Sequence, residues 1–598
     1  MTITSDTKES LNDLKEKYHK VVKLIKDESK NDPPNEPFLS KYAAKEILLS
    51  MKASIESLLK NQELDNSERK KLLAMLGTVH IFLGTIYIEI EDSLTAEKHL
   101  SKCLEVINDF KEEHEYISIT LNAYNQFGIL WFKNEPEKGK VYLSKSMELY
   151  EKNKNELEPP KCLDDFFELE SECVESEESW KRFEKICTAT YYYLAQIYGS
   201  LRDALKSAVY CHITLKRQLV YNEFEFIDWS LNAATLSQFF AEQKGFKQAR
   251  HHLSAASYIL DMYKKELDKI EVHDEMYEYK MEEFQHRSAD VARCWAQYGS
   301  ILLSKSKERL LAETEKDEPN YLPSSTDLAD IENSDSTVSK DDLSNLYFQT
   351  LNLQDYEKQV TDGYVLTLSE AKAVFLNAQN WLIKSQEYYT LENLASDFID
   401  INLSHSQLYL DLLFFDDNAD NQAKYQKRRI DLMETVLAKI NPLFYLSHCR
   451  KIWYEVGNAY INLLDIKLDK QRESNARPTA NSLLKINNII TKGIRYFTVF
   501  LESFESKPNQ IKDYLMVYAR SQFYIGVLFG KFITLDKNKK LENTESSLSA
   551  YRQVIEFCEK YPDAKEQIMV EFGVCKEMVE LLPAKICILK SEIANKKN

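Results

Sequence analysis

The sequence predicts an all-α, tetratricopeptide-like solenoid, in which pairs of antiparallel helices stack along the chain. Two tandem segments between Tyr191 and Ser257 share one pattern, with aromatic or small residues on a first helix and small residues on a second. The matching positions are Tyr191, Leu194, Ala195, Tyr198, Ser207, Cys211 and Thr214, then Ala233, Leu236, Ser237, Phe240, Ala249, Leu253 and Ala256. Small residues at these positions let two helix backbones cross closely, as in tetratricopeptide repeats. The scarcity of Gly and Pro, 13 of each in 598 residues, also favours long helices over strands.

Earlier repeats suggest that the helices are longer than in an ordinary repeat of this kind. The segment FLGTIYIEI places Gly84 on a first helix, and NQFGILWF places Gly128 at the equivalent position 44 residues later. The equivalent positions Ala195 and Ser237 are 42 residues apart, whereas the usual period is about 34 residues. We therefore expect each helix to be longer by about one to two turns.

The second half of the chain repeats the pattern after it resumes near Leu368. The segment WYEVGNAYINLL has Trp453 and Gly457 at the repeat's first tryptophan and glycine positions, and SLLKINNIITKGIRYF is the predicted partner helix. A weaker match, FYIGVLFGKF, places Gly526 in the same role. These segments predict further helix pairs up to the C-terminal helix.

Two acidic stretches interrupt the helical pattern. The first, Glu156–Ser179, is broken by prolines and predicts a loop in which the paired acids Asp164 and Asp165 are solvated. The second, 313–345, is rich in acids, Ser, Thr and Asn, and it has too few apolar residues to bury a core. The predicted organisation is an N-terminal solenoid over 1–311, an acidic mobile linker over 312–345 and a C-terminal helical half over 346–598.

The charge and cysteine usage limit the classes of partner and compartment. A formal net charge of −18 disfavours nucleic acid and anionic membranes and favours a basic protein surface. The ten cysteines are scattered without a C-x-x-C pair, which is typical of reduced thiols in a cytoplasmic protein. No apolar run is expected to reach the roughly 18 to 20 residues of a membrane span, so no membrane insertion is predicted.

No motif predicts catalysis, a metal or a cofactor. The zinc-protease, phosphate-binding, dinucleotide-binding and nucleophile-elbow motifs are all absent from the sequence. The adjacent His251 and His252 diverge by about 100° on a helix, so they cannot easily share one metal ion. Cys211 next to His212 could suggest a thiol–imidazole pair, but Cys211 occupies a small-residue crossing position. The sequence therefore predicts a protein that is not an enzyme and needs no cofactor.

The candidate binding residues lie on the side of the first helices that lines the groove of such a solenoid. They are amides, phenols and a few cations, which suit specific hydrogen bonding to a protein partner. Counted from the glycine-like positions they are Asn122, Asn125, Tyr192, Gln196, Gln238, Lys451, Tyr454 and Asn458, to which the basic run of Lys216 and Arg217 with Gln218 is added. The alternative is that these side chains are only solvated, and that the basic run only balances nearby acids.

The motifs YYYLAQIY, TLKRQL and NAATLSQFF resemble the kinesin-binding protein family. The similarity continues in order through EPFLSKYAAKEIL, NQFGILW, KRRIDLM, KKLENTESSLSAY and KEMVELLPAKI, with the acidic stretches as the divergent parts. The resemblance implies that family contacts on the concave face carry over onto Tyr193, Gln196, Thr214 and Gln218. Spacing alone favours Tyr192 over Tyr193 as the groove residue, and adjacent helix positions leave that choice open.

The resemblance also implies a function. It implies a monomeric, cytoplasmic and cytoskeleton-associated protein that binds kinesin motor domains, blocks their attachment to microtubules and meets the microtubule-based transport machinery. Roles in axon growth, neurogenesis, differentiation and mitochondrial transport follow from the same resemblance. Two alternatives share the fold: a co-chaperone whose groove clamps a C-terminal carboxylate with Lys and Arg, and a general scaffold for protein assembly.

Overall fold

The structure is a computed structural model that describes residues 5–60, 64–168, 176–314, 325–330, 338–473 and 479–597. Within these ranges the regular structure is helical and includes no strand, which agrees with the predicted fold class. The first helices are α1 (Ser5–Lys26), α2 (Leu39–Leu58), α3 (Asn66–Glu89), α4 (Ser93–Val106), α5 (Ile117–Trp131), α6 (Pro136–Asn153), α7 (Ser176–Ser200), α8 (Ala204–Tyr221), α9 (Phe226–Glu242), α10 (Phe246–Leu267) and α11 (Glu275–Thr314). The remaining helices are α12 (Lys340–Ser344), α13 (Gln354–Glu357), α14 (Leu368–Gln386), α15 (Ala395–Leu413), α16 (Ala419–Leu437), α17 (Leu446–Glu473), α18 (Ala480–Glu502), α19 (Leu515–Gly530), α20 (Lys537–Lys560), α21 (Pro562–Gln567) and α22 (Met569–Lys597).

The chain forms two compact units. Unit 1 comprises Met1–Phe239 and Leu328–Asn352, and unit 2 comprises Phe240–Asp327 and Leu353–Asn598. The division falls within α9, and it does not coincide with the predicted boundaries at 311 and 346. Much of the predicted linker 312–345 lies outside the described residues, so its mobility stays a prediction.

Each unit stacks helix pairs in chain order. In unit 1, α3 packs on α4, α5 on α6 and α7 on α8, while α3, α5 and α7 contact one another in sequence. In unit 2, α15, α17 and α19 contact one another in the same way, and each packs on the helix that follows it. This alternation is the contact pattern of a helical-repeat protein, because every repeat buries its apolar faces against its neighbours.

Short polar turns fix the pairing of the helices in unit 1. Asp92 and Asp203 cap the starts of α4 and α8, where their carboxylates accept the backbone N–H groups of Thr95 and Lys206, each at 3.1 Å. Such caps satisfy backbone donors that a helix N-terminus leaves unpaired. The turns are too short for anything except antiparallel neighbours.

The glycines singled out in the sequence lie where paired helices touch. A Cβ atom at Gly84 would come within 2.7 Å of Leu100, and one at Gly128 within 2.6 Å of Leu143. The first helices are also long, with 24 residues in α3 and 25 in α7. The predicted register is confirmed, and the predicted elongation holds for α3 and α7. It is wrong for α4 and α5, which have 14 and 15 residues, because the extra residues between Gly84 and Gly128 lie in the connection from Val106 to Ile117.

Gly457 provides a direct test of this close packing. A Cβ atom there would lie 2.6 Å from the fully buried ring of Phe497. We expect Gly457→Ala to lower the free energy of unfolding by about 1–3 kcal/mol, because overpacking outweighs the better helix propensity of alanine. Chemical denaturation of the full chain measures the change.

Gly573 is the matched control for that experiment. It lies on an exposed side of α22 with no atom within 4 Å of a built Cβ. Gly573→Ala should leave the stability unchanged or raise it by up to about 1 kcal/mol. If both substitutions raise stability alike, the close crossing of α17 and α18 is not a constraint on the fold.

The acidic segment Glu156–Ser179 differs from its prediction as a solvated loop. Part of it lies outside the described residues, but Asp164 accepts a hydrogen bond from the buried hydroxyl of Tyr18. Asp165 forms an ion pair with Arg182 at 2.9 Å. These two acids therefore connect the segment to α1 and α7, and the expectation that both are simply solvated is wrong.

Helix α3 differs from the expectation that no apolar run approaches a membrane span. It is long and apolar enough to cross a membrane by length and composition, but 67% of its apolar window is buried within the protein. Its buried residues include Leu76, Val79 and Leu83. The core helix of a packed helical layer satisfies the same criterion, so α3 is a buried helix of unit 1.

A pair of imidazoles links α3 to α4. The Nδ1 atoms of His80 and His99 are 3.0 Å apart, and the His80 side chain is buried. Burial lowers the pKa of His80 to about 3, helped by His99, Lys52 and Lys102. Burial and Lys52 also lower the pKa of His99. Both rings are therefore neutral in the folded protein at pH 7.

This pair predicts a loss of stability in mild acid. Above pH 6.5 the rings are neutral in both the folded and the unfolded chain, so they contribute no pH dependence there. Below the unfolded pKa of about 6.5 the unfolded chain binds protons that the fold excludes, so stability falls by at most about 1.4 kcal/mol per pH unit for each ring. We expect the urea midpoint to fall between pH 7 and pH 5, and to fall less in a His80→Gln variant. An equal fall in both proteins would contradict this assignment.

Candidate partner-binding cleft

Unit 1 contains a cleft of about 600 Å³ bounded by α7, α8 and the start of α9. Its polar lining residues are Lys185, Thr188, Tyr192, Thr214, Arg217, Gln218, Asn222, Glu223, Glu225, Asp228 and Asn232. Its aromatic lining residues are Tyr221, Phe224 and Trp229. A concave site with aromatic walls and several polar groups is suited to binding, and these residue types favour a protein partner.

The repeat geometry explains why these residues meet. Thr188 and Tyr192 are four residues apart on α7, so they point to the same side of that helix. Gln218 and Tyr221 are three residues apart on α8, a spacing that also places them on one side of the helix. Trp229 holds the start of α9 against α8, because its Nε1–H donates to the carbonyl oxygen of Leu215 at 3.0 Å.

Arg217 is the structural centre of the cleft wall. Its guanidinium forms an ion pair with Glu184 and donates to the hydroxyl oxygens of Thr188 at 3.1 Å and Tyr150 at 3.2 Å. The guanidinium carbon also lies 5.2 Å from the ring centre of Tyr191. One side chain on α8 thereby joins α6 and α7 through charge-assisted hydrogen bonds and cation–π contacts.

The contacts around Arg217 keep its guanidinium positively charged. Burial opposes its positive charge, but the contacts with Tyr150 and Glu184 raise its pKa above the usual value. Burial raises the pKa of Tyr191 to about 12, so that ring stays a neutral phenol. The side chains of Arg217 and Glu184 are only 15% and 10% exposed, so each charge needs the other to offset the cost of its removal from water.

The rim of the cleft carries unneutralised acids. Lys185 lies 3.5 Å from Glu223, so these charges offset each other. Glu225 and Asp228 are exposed, and neither forms an ion pair within the described part of the chain. Since Arg217 is paired with a carboxylate, the cleft presents a net negative field to an incoming partner.

Four of the predicted residues line the cleft, namely Tyr192, Thr214, Gln218 and the internally paired Arg217. Tyr192 is 48% exposed and lines the cleft, whereas the neighbouring Tyr193 is partly buried in an apolar cluster of α6 and α7. The structure thus agrees with the spacing count that favoured Tyr192. Gln218 lines the cleft, and the exposed Gln196 continues the side of α7 that carries Tyr192. Thr214 lines it too, but its hydroxyl donates to the Tyr210 carbonyl oxygen at 2.8 Å.

Other predicted groove residues have different positions. Asn125 is buried, donates to the carbonyl oxygen of Ile186 at 3.1 Å and accepts from Thr190 at 2.8 Å, so its assignment to a groove surface is corrected. Asn122 is half-buried and donates within its own helix. Arg217 lines the cleft, but its donors are engaged inside the protein and it is not a free cation.

Two further predicted residues do not line the cleft. Lys216, one residue before Arg217 on α8, is half-buried and is not among the residues that line the cleft. Gln238 lies farther along α9, is half-buried and donates to Ser237 Oγ at 3.0 Å. Neither position is locked in a fully buried core.

Two of the three predicted residues of the second half line a separate cleft in unit 2. Lys451 and Tyr454 line this cleft of about 460 Å³, next to the buried Arg450. Arg450 donates to Gln510 Oε1 at 2.7 Å, so it is a structural residue. Asn458 lies outside the lining and hydrogen-bonds Tyr454, whose pKa burial raises. Exposed Lys451 is the accessible cation of this site.

Sequence reasoning missed the start of α9. Glu225, Asp228 and Asn232 recur at intervals of three and four residues, which is the spacing of one helix side. Continuing the helical spacing from Ala233 towards the N-terminus would have predicted that these three residues share one side of a helix. The acidic rim of the cleft is therefore a structural finding.

The described ranges contain no group of three or more His, Cys, Asp and Glu residues positioned to hold a metal ion. His251 lies 2.8 Å from Glu357, and His252 bonds to the carbonyl oxygen of Gln248. Both imidazoles are buried, so they are packing residues.

Comparison with known proteins decides the family. The family model described as "KIF-1 binding protein C terminal" matches residues 227–589. A KIF-binding protein of Drosophila melanogaster is 34% identical over 599 residues, covering 98% of each chain. This chain belongs to the KIF-binding protein family. The KIF-binding protein of Homo sapiens is 32% identical and covers 97% of this chain and 98% of its own.

Solved structures of the family agree with the fold. The structure titled "Kinesin binding protein (KBP)" has a TM-score of 0.62 and 28% identity, covering 95% of this chain and 98% of that one. The one titled "Cryo-EM map of KIFBP" has a TM-score of 0.61 and 26% identity, covering 98% and 99%. The predicted helical solenoid and the resemblance to this family are confirmed. The family is one of binding proteins and not a known enzyme family.

Proposed function

We propose that this protein binds the motor domain of kinesins through the cleft of α7, α8 and α9, and that binding keeps the motor off microtubules. Its relatives are named for binding KIF proteins or kinesin. The observation that carries the proposal is the meeting of Tyr192, Gln218 and acidic Asp228 in one open cleft. These groups supply contact area, hydrogen bonds and charge for a basic protein surface.

Charge supports the choice of a motor surface. The outer surface of a microtubule is acidic, so the surface of a kinesin that binds it must be basic. The chain has a net charge of −18, and the cleft rim adds Glu225 and Asp228 without ion-pair partners in the described ranges. Such a field raises the rate of association with a basic surface and weakens as salt is added.

The cleft disfavours a carboxylate clamp of the co-chaperone type. A clamp needs free Lys and Arg side chains that grip a C-terminal carboxylate. Both cations of the cleft are already paired, Arg217 with Glu184 and Lys185 with Glu223. An acidic C-terminal peptide should therefore bind far more weakly than a kinesin motor domain.

The variant Gln196→Ala/Gln218→Ala tests the polar lining. Both amides are accessible, and removing them should weaken binding of a purified kinesin motor domain by about tenfold, since each hydrogen bond contributes about 0.5–1.5 kcal/mol. Fluorescence anisotropy with a labelled motor domain measures the dissociation constant. The matched control is Gln553→Ala, an exposed amide on α20.

The control separates a cleft effect from a general one. Gln553→Ala should leave the dissociation constant unchanged. If the double variant binds the motor domain as tightly as the natural chain, the polar lining of this cleft is not the contact surface and another surface binds the motor.

The cellular setting is part of the proposal. A protein that removes motors from their track acts in the cytoplasm beside the cytoskeleton and regulates microtubule-based transport, including that of mitochondria. In neurons the same activity would influence axon growth, neurogenesis and differentiation. We propose a monomer as the acting form, so that one chain binds one motor head.

A further inference from the structure

The first turn of α11, in unit 2, and the chain that leads into it carry an exposed apolar row. Val272, Met276 and Tyr279 are 70%, 60% and 63% exposed, although side chains of this kind are usually buried. Met276 and Tyr279 are three residues apart, so they lie on one side of α11, and Val272 lies in the non-helical chain that leads into the helix. An apolar seam with this spacing is what a helix presents to a partner helix.

An acidic row runs directly beside the apolar row. The row consists of Glu271, Glu275, Glu278 and Glu282. Glu275 and Glu278 each precede an apolar residue of the row, so they lie about 100° round the helix from it, and Glu282 follows Glu278 at helical spacing, whereas Glu271 lies in the chain before the helix. All four are exposed, and none forms an ion pair within the described part of the chain. The exposed apolar row therefore has one strongly negative flank.

The other flank of the row faces the protein's own helices. The stacking of His273 on Tyr277, with ring centres 4.1 Å apart, is local to the start of α11. Phe284 of α11 contacts Tyr263 of α10 with ring centres 6.2 Å apart. This contact fixes the orientation of α11, so the apolar and acidic rows point outward. The surface is thus a helix side that the surrounding unit leaves uncovered.

We propose that this side of α11 binds a basic amphipathic helix of a partner protein. The partner's apolar seam covers Val272, Met276 and Tyr279, and its Lys or Arg residues pair with the glutamate row. A second copy of the same face would oppose the same acids, and nucleic acid or an anionic membrane would be repelled. This docking surface is independent of the cleft in unit 1 and does not depend on the proposed motor binding.

A designed peptide tests the proposal with the full chain. The probe is a fluorescein-labelled helix of about three heptads with Leu and Ile in the seam and Lys and Arg beside it, and a second peptide replaces the cations with Glu. We expect the basic peptide to bind and the acidic one not to bind. The variants are Val272→Ser/Met276→Ser/Tyr279→Ser for the apolar row and Glu271→Gln/Glu275→Gln/Glu278→Gln/Glu282→Gln for the acidic row.

Each variant should weaken binding of the basic peptide at least about tenfold. The matched charge control removes the same number of exposed acids from another region, as Glu556→Gln/Glu559→Gln/Glu566→Gln/Glu580→Gln. The apolar control is Leu443→Ser/Phe444→Ser/Leu535→Ser, whose side chains are 85%, 80% and 100% exposed. Far-UV circular dichroism verifies that every variant is folded.

The controls decide between a docking surface and diffuse attraction. If the two controls keep full affinity while both row variants lose it, the surface on α11 binds the helix. If the charge control loses as much affinity for the basic peptide as the acidic-row variant does, the peptide responds only to net charge and the proposal is wrong. Unchanged binding in both row variants would also overturn it, as would equal binding of the acidic peptide.

Discussion

Arg217→Ala should lower the free energy of unfolding by about 3–5 kcal/mol. The substitution removes the guanidinium that compensates the buried carboxylate of Glu184 and leaves the hydroxyl of Tyr150 with one partner fewer. Removing one member of a buried ion pair is costly because the other charge stays in a medium of low dielectric constant. Urea unfolding of the full chain at pH 7 measures the loss.

Two controls make the cause of that loss specific. Lys216→Ala changes the adjacent cation, which is half-exposed and has no ion pair within the described ranges, and it should alter stability by no more than about 0.5 kcal/mol. Removing both buried charges, as Glu184→Gln/Arg217→Met, should cost less than Arg217→Ala alone. A double variant that is less stable than Arg217→Ala would contradict the account of a compensated buried pair.

The same substitution should also weaken partner binding. Arg217 donates to Thr188 and packs beside Tyr191, so it fixes α8 against the part of α7 that carries Tyr192. Without the guanidinium, α7 and α8, which form two walls of the cleft, lose the contacts that hold them together at this point. We expect a loss of motor binding in Arg217→Ala even at temperatures where the variant is fully folded.

The second large effect is expected from reversing the charge of the cleft rim. Glu225→Lys/Asp228→Lys changes the local charge by four units beside the site where a basic surface is proposed to dock. Repulsion at such short range should weaken motor binding by about 100-fold at low salt, or about 2.7 kcal/mol. The measurement is fluorescence anisotropy with a labelled motor domain between 50 and 300 mM salt, over which the Debye length shortens about 2.4-fold.

The control for this variant has the same change in net charge. Glu556→Lys/Glu559→Lys reverses two exposed acids on α20 and should weaken binding far less. The difference between the two variants should shrink as salt is added. Equal effects of both variants at every salt concentration would mean that only total charge matters, and that the rim of this cleft has no special role.

The repeat architecture was predictable because its signal is local. Small residues mark the places where paired helices cross, so Gly84 and Gly128 could be assigned to their crossings from spacing alone. The same signal placed Gly457 against its partner helix, where the structure has Phe497. Helix length followed only in part, because the extra residues between Gly84 and Gly128 lie in the connection from α4 to α5 and not in longer helices.

The groove residues were less predictable, since they depend on the rotation of each helix about its axis. Asn125 is three residues before Gly128, so it shares the side of α5 that packs against α6, and its buried amide reflects that side. The partners of Arg217 could not be read from the sequence either. Tyr150 is 67 residues away, and only the packed fold brings the two side chains together.

The central claim is that binding to this protein and binding to a microtubule are mutually exclusive for a kinesin motor head. Co-sedimentation of a motor domain with microtubules, in the presence of rising concentrations of the full chain, measures this directly. We predict that the motor moves from the pellet to the supernatant together with the chain, and that Gln196→Ala/Gln218→Ala requires a higher concentration for the same release. A motor that stays in the pellet with the chain bound to it would contradict the account.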